Sequence, residues 1–149
     1  RDVAPSRGLG DVYKRQDRNI LVHMLEYCND IYDDCLRLGN SYEVFKNDRL
    51  LQKAVTMSML QIGELTTHLS DEFKDLTNNE MDWRNLKGLR NIVAHQYGSI
   101  QFDLIWQIKE NDIPMIMDFC QKYISFFDEQ LDLDIDEPLD LTKDNSLKR

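Results

Sequence analysis

Within Leu89–Gly98, LRNIVAHQYG, an arginine, an asparagine, a histidine and a tyrosine follow one another closely before a glycine. On a helix of about 3.6 residues per turn, Asn91 and His95 are four apart and lie one above the other. Arg84, Lys87 and Arg90 are three apart and make a basic stripe, while Arg90 and Tyr97 share a face if the helix lasts that far. Gly98 predicts that it stops about there, leaving His95 in or next to the last turn. Carbonyls at a helix end favour the imidazolium, so His95 is suited to trading protons near neutral pH. Beside it, the Arg90 fork is suited to a phosphate. The competing reading is plain: a lone Arg or His on a helix is more often solvated or capping than catalytic. Arg84 and Lys87 would then be a wet helix face, and Tyr97 would pack under a loop. His23 and His68 have no partner at metal-ligand spacing and are given no role.

The elements that must hold these residues are helical. Leu21, Met24, Leu25, Cys28, Ile31, Tyr32, Cys35 and Leu38 form one stripe from Asp17, and Gly39 stops it. Ser41 is placed to cap a short turn through Phe45. A second long helix is predicted from about Asp48 to Leu69, with Leu51, Val55, Ser58, Ile62, Leu65 and Leu69 inward. A parallel row, Leu50, Ala54 and Met57, predicts a second neighbour for this helix. Gly63 costs it about 1 kcal/mol against alanine, which close approach of another helix would explain. A short helix follows in LSDEFKDLTNNEMD, and Asp82 caps a third main helix, Trp83 to about Gln96, with Leu86, Leu89 and Val93 inward. Asp103 is read as the cap of a fourth, carrying Ile105, Trp106 and Ile108. Asn111–Pro114 interrupts the pattern, and Pro114 begins a fifth through about Gln130, with Ile116, Met117, Cys120, Tyr123, Ile124 and Phe127 on its face. No strand pattern and no repeat is present, so the expected fold is an all-α antiparallel bundle of four to five helices.

Three segments are expected: an N-terminal arm over 1–16, a helical domain over 17–130 and an acidic tail over 131–149. The opening RDVAPSRGLGDVYKRQ lacks periodicity and resembles translated adapter sequence, so it is read as non-native or disordered. The tail, rich in Asp and broken by Pro138, is read as disordered alone. Net charge is −9. The tail holds six acids against three bases and the arm four bases against two acids, leaving −8 on the core. That balance excludes a broad basic nucleic-acid surface, so any anion must be held by a local cluster. Cys28, Cys35 and Cys120 form no CxxC pair and read as core residues of a reduced, cytoplasmic protein. No apolar run is long enough for a membrane span or a secretory signal.

RNIVAHQY matches an R-polar-xxx-H-x-Y pattern and resembles the motif of HepT-like proteins of the HEPN superfamily. These are all-helical toxins found beside a minimal nucleotidyltransferase antitoxin, MntA. FKNDRLLQKAVTMSMLQIGELTTHLS is similar to the family's second helix, with its Asp-x-Leu-Leu start and Ile-Gly-Glu centre. WRNLKGLRNIVAHQYGSIQFDLIWQI is similar to its catalytic helix and the segment after it, so the resemblance covers about 17–130. It implies a homodimeric, metal-independent endoribonuclease without cofactor, in which the 2′-hydroxyl of RNA attacks the neighbouring phosphate. Carried onto this chain, His95 is the general acid/base, Arg90 binds the phosphate, and Asn91 orients His95 or contacts RNA. Arg84 and Lys87 line a cleft where two copies of the helix meet, and Tyr97 is where the antitoxin attaches AMP. The acidic tail beyond Gln130 has no obvious counterpart in the family. The alternative is a non-catalytic nucleotide- or partner-binding subunit of a minimal nucleotidyltransferase. A purely structural dimeric bundle is a third possibility, which leaves the motif as coincidence.

Overall fold

In the computed structural model, the backbone of residues 3–95 and 101–131 is described, with side chains over 10–92 and 101–131. All regular structure among them is helical: α1 (Val3–Arg37), α2 (Tyr42–Asn47), α3 (Arg49–Thr66), α4 (Asp71–Leu76), α5 (Trp83–Lys87), α6 (Leu89–His95), α7 (Phe102–Gln107) and α8 (Ile113–Gln130). A π-helical turn, Ile108–Asp112, joins α7 to α8. The all-α expectation holds.

Helix α1 packs on both α3 and α8 and is antiparallel to each. At its packed start, Asp17 accepts hydrogen bonds from the Ser70 N–H (2.8 Å) and hydroxyl (2.6 Å), just past the end of α3. Arg18 there pairs with Asp128 near the end of α8. At the other end, Gly39 (φ +90°) and Asn40 (φ +52°) turn the chain, with the Asn40 N–H bonded to the Cys35 carbonyl. The predicted stripes fill the core: Leu21, Met24, Cys28, Ile31 and Cys35 from α1; Leu51, Val55, Ser58, Ile62 and Leu65 from α3, with Leu69 just after it; and Ile116, Cys120 and Phe127 from α8. All three cysteines are buried and unbridged. Burial pushes the Cys28 thiol up to about 12 and Cys120 upward too.

Several boundaries differ from the sequence reading. Helix α1 begins inside the stretch read as an arm, although among the described side chains the first buried one is Asp17. Leu38 is exposed, because the turn at Gly39 carries it off the stripe. Ser41 stands at the N-cap of α2 without a side-chain hydrogen bond, and α2 runs past Phe45 to Asn47. Asp48 does cap α3, accepting from the Leu51 N–H at 2.9 Å. The fourth helix starts after Gln101, and Asp103 accepts instead from the Tyr42 hydroxyl. The interruption before Pro114 is not a loop. The backbone passes through the π turn, which buries Lys109 over the rings of Trp106 (4.5 Å) and Tyr32 (5.4 Å) with a hydrogen bond to Asn40. Leu131 is still buried, so the packed chain ends one residue later than expected. The tail over 132–149 lies outside the described residues.

No helix among the described residues is long and apolar enough to cross a membrane. Burial raises the Asp17 carboxyl, and the two Ser70 hydrogen bonds only partly oppose it. Asp17→Ala strands the Ser70 N–H and is expected to cost about 1–3 kcal/mol. Deletion of residues 1–16, by contrast, is expected to leave the urea midpoint nearly unchanged; chemical denaturation followed by circular dichroism reads both.

Candidate active site

The basic segment is anchored by the connection before it. Trp83 packs edge-on against Phe119 of α8 (5.3 Å between centroids), and its indole N–H donates to the Thr77 hydroxyl at 3.0 Å. In the same connection Glu80 accepts from Lys122 and Tyr123, and the Lys122 hydrogen bond holds its carboxyl below the usual range. Asp82 then caps α5, accepting from the Asn85 N–H at 3.1 Å. Buried Met81, Leu86 and Leu89 face the core.

The expected single helix from Trp83 to Gln96 is two. Gly88 (φ −62°, ψ −17°) separates α5 from α6, its N–H bonded back to the Arg84 carbonyl at 3.0 Å. A Cβ there would lie 3.1 Å from the Asn85 carbonyl oxygen, so the tightened turn favours glycine. The new helix begins one residue later and is aimed at α3.

At Gly63 the two helices come closer than a side chain there would comfortably permit. A Cβ on Gly63 would lie 3.0 Å from the Arg90 backbone nitrogen, 3.0 Å from Arg90 Cγ and 3.4 Å from Leu89 Cβ. The close approach expected from this glycine is present, and the approaching residue is Arg90. Its side chain runs along α3 to Glu64, where Nε lies 2.9 Å from Oε1. Arg90 remains 38% exposed and Glu64 42% exposed, so the pair sits at an open surface.

The other sequence-predicted residues are placed unevenly. Asn91 is exposed, next to Arg90 and one turn before His95 along α6. His95 is the last residue of α6, at the helix end expected for it; its side chain, and all of Tyr97, Gln96 and Gly98, lie outside the described residues. The inward position of Val93 lies outside them too. Arg84 and Lys87 are exposed on α5, across the Gly88 break from Arg90. Arg84 lines an open recess of about 440 Å³ over the α4–α5 connection, walled by Asn78–Trp83, and Arg90 is not part of it. His23 is buried in α1 with Nδ1 3.0 Å from Glu26, and His68 is exposed beyond α3. Sequence reasoning missed Glu64 as a site residue. Its signal was its place directly after a glycine that needed a close neighbour.

With this geometry in view, the comparisons are decisive for kinship. The profile of ribonuclease HepT-like proteins matches residues 24–123. The chain belongs to the HepT-like ribonuclease family. A candidate RNase of Methanocaldococcus jannaschii is 31% identical over 103 residues, covering 69% of this chain and 92% of that protein. A candidate RNase of Caldanaerobacter subterraneus subsp. tengcongensis is 29% identical, covering 65% of this chain and 84% of its own. A protein of Thermococcus cleftensis named as a candidate ribonuclease HepT is 29% identical over 75 residues, half of this chain and 67% of its own. No solved structure matches significantly.

Gly63→Ala gains helix propensity but forces a methyl against the Arg90 backbone. The two effects leave a net loss of about 1 kcal/mol, read as a lower urea midpoint.

Proposed function

We propose that this HepT-like chain is a metal-independent endoribonuclease toxin that cuts RNA by internal transesterification, in a cleft built from two copies of α6. The 2′-oxygen of one nucleotide attacks its own 3′-phosphate, the bond from phosphorus to the 5′-oxygen breaks, and a 2′,3′-cyclic phosphate and a 5′-hydroxyl result. One His95 takes the 2′-hydroxyl proton, and the His95 of the second copy supplies a proton to the leaving 5′-oxygen. Arg90 binds the phosphate and stabilises the charge that grows on it. Asn91 orients His95 or meets the RNA, and Arg84 and Lys87 hold flanking phosphates. The carrying observation is the family match, which spans Arg90, seated on α3, and His95, at the end of the same short helix.

A second observation supports the pairing of two copies. Helix α3 meets several neighbours in the chain, α1, α2, α5 and α6, yet two residues of the row Leu50, Ala54, Met57 stay outward: Leu50 is 78% exposed and Met57 55%. The same face continues at helical spacing through Gln61 to Glu64, the partner of Arg90. An exposed apolar row that leads directly into the site suits a second copy of the chain. Two Arg90 side chains then meet on an otherwise acidic surface, concentrating positive field where the phosphate must lie. Regulation falls on Tyr97, as acceptor of AMP from an MntA-type nucleotidyltransferase, since a bulky anion there would fill and repel the slot. RNA and that antitoxin are the partners, and the cytoplasm is the place of action.

The purified protein is expected to cut RNA in excess EDTA, with cyclic-phosphate ends, and His95→Ala to fold, pair and lose cutting. Equal cutting by His95→Ala removes the assignment. Binding of AMP or ATP without any cutting by the unaltered protein points instead to a nucleotide-binding subunit. Leu50→Glu combined with Met57→Glu is expected to sediment as a monomer and to lose cutting while keeping its helical spectrum.

A further inference from the structure

The Arg90–Glu64 pair poses a physical problem for any site that binds phosphate. A carboxylate 2.9 Å from the guanidinium repels the anion that the arginine is there to hold. Its effect on affinity is therefore unfavourable, and its effect must lie elsewhere. The atoms involved show where. A guanidinium has five N–H donors pointing in three directions, and Glu64 engages it through Nε. The edge formed by the two terminal nitrogens can still take two phosphate oxygens at once. Meanwhile the backbone end of the same side chain is fixed by Gly63, which admits the Arg90 nitrogen and Cγ to within 3.0 Å of where a Cβ would stand. Both ends of an otherwise flexible side chain are held, one by steric fit and one by charge.

We propose that Gly63 and Glu64 act together as a positioning seat for Arg90: the glycine sets how deeply α6 docks, and the carboxylate turns the guanidinium so that its terminal nitrogens face the scissile phosphate. The inference rests on the reading of Arg90 as the phosphate ligand. Glu64 is a positioning residue and touches no reacting atom. Its charge weakens binding of RNA, while its ion pair with Nε raises the rate of the bound complex, because the arginine need not search for its orientation as charge develops.

The two effects separate by substitution. Glu64→Ala removes the charge and the oxygen beside Nε together; Glu64→Gln removes the charge and keeps an oxygen of the same reach in place. Glu64 is exposed enough that neither change threatens the fold, which circular dichroism and sedimentation confirm alongside. Cleavage of a labelled oligoribonucleotide is followed to obtain kcat and KM. Glu64→Ala is expected to lose about ten- to a hundredfold in kcat with no rise in KM. Glu64→Gln is expected to hold kcat close to the unaltered protein and to lower KM. A glutamine variant as slow as the alanine one, an alanine variant with unchanged kcat, or a rise in KM alone each overturns the seat. Arg90→Ala runs in parallel. If it cuts as well as the unaltered protein, both the phosphate role and the seat fall; if it fails to cut while Glu64→Ala is unimpaired, the seat alone falls.

Discussion

The contact between α3 and α6 at Gly63 is the constraint on which the rest depends. Two helices can approach this closely only where one of them lacks a Cβ, and here the residue pressed into the gap is Arg90. That single fit turns a long, flexible cation into a placed one, with Glu64 at its far end. The upstream features serve it. Trp83 locked on Phe119, the Asp82 cap and the tightened turn at Gly88 together deliver the first residues of α6 to α3 in one register.

The electrostatic consequence is local. A chain with net charge −9 cannot gather RNA by a general field, and the charges of α5 and α6 must act at short range. A salt bridge as exposed as Arg90–Glu64 adds little to folding stability, because solvent screens it. Its value is directional, since it chooses which edge of the guanidinium faces outward. The apolar row of Leu50 and Met57 lies on the face that leads to this pair, so assembly and chemistry would share one surface of α3.

Much of this was legible in the residues. The long stripes of α1, α3 and α8 obey helical periodicity, and burial follows them closely. Gly63 declared a close approach because a glycine in mid-helix needs a reason. What periodicity could not convey was set by long-range fit. The partner of Gly63 lies 27 residues away, across a break at Gly88 that helical periodicity does not mark. Asn111–Pro114 looked like an interruption because proline ends most helical patterns, yet a π turn carries the chain through with Lys109 buried under Trp106. Leu50, Ala54 and Met57 were rightly seen as a second apolar row. The helix does meet more than one neighbour, α1 and α6 among them, although Leu50 and Met57 themselves stay exposed.

The most direct test is a crystal structure of the protein with an oligoribonucleotide carrying a 2′-deoxy substitution at the cut position, which blocks attack but keeps the phosphate. The account predicts the terminal nitrogens of Arg90 on the oxygens of that phosphate, its Nε still on Glu64, and the α6 helices of two copies facing one another across it. A phosphate bound elsewhere, or an Arg90 that leaves Glu64 in order to reach it, contradicts the account.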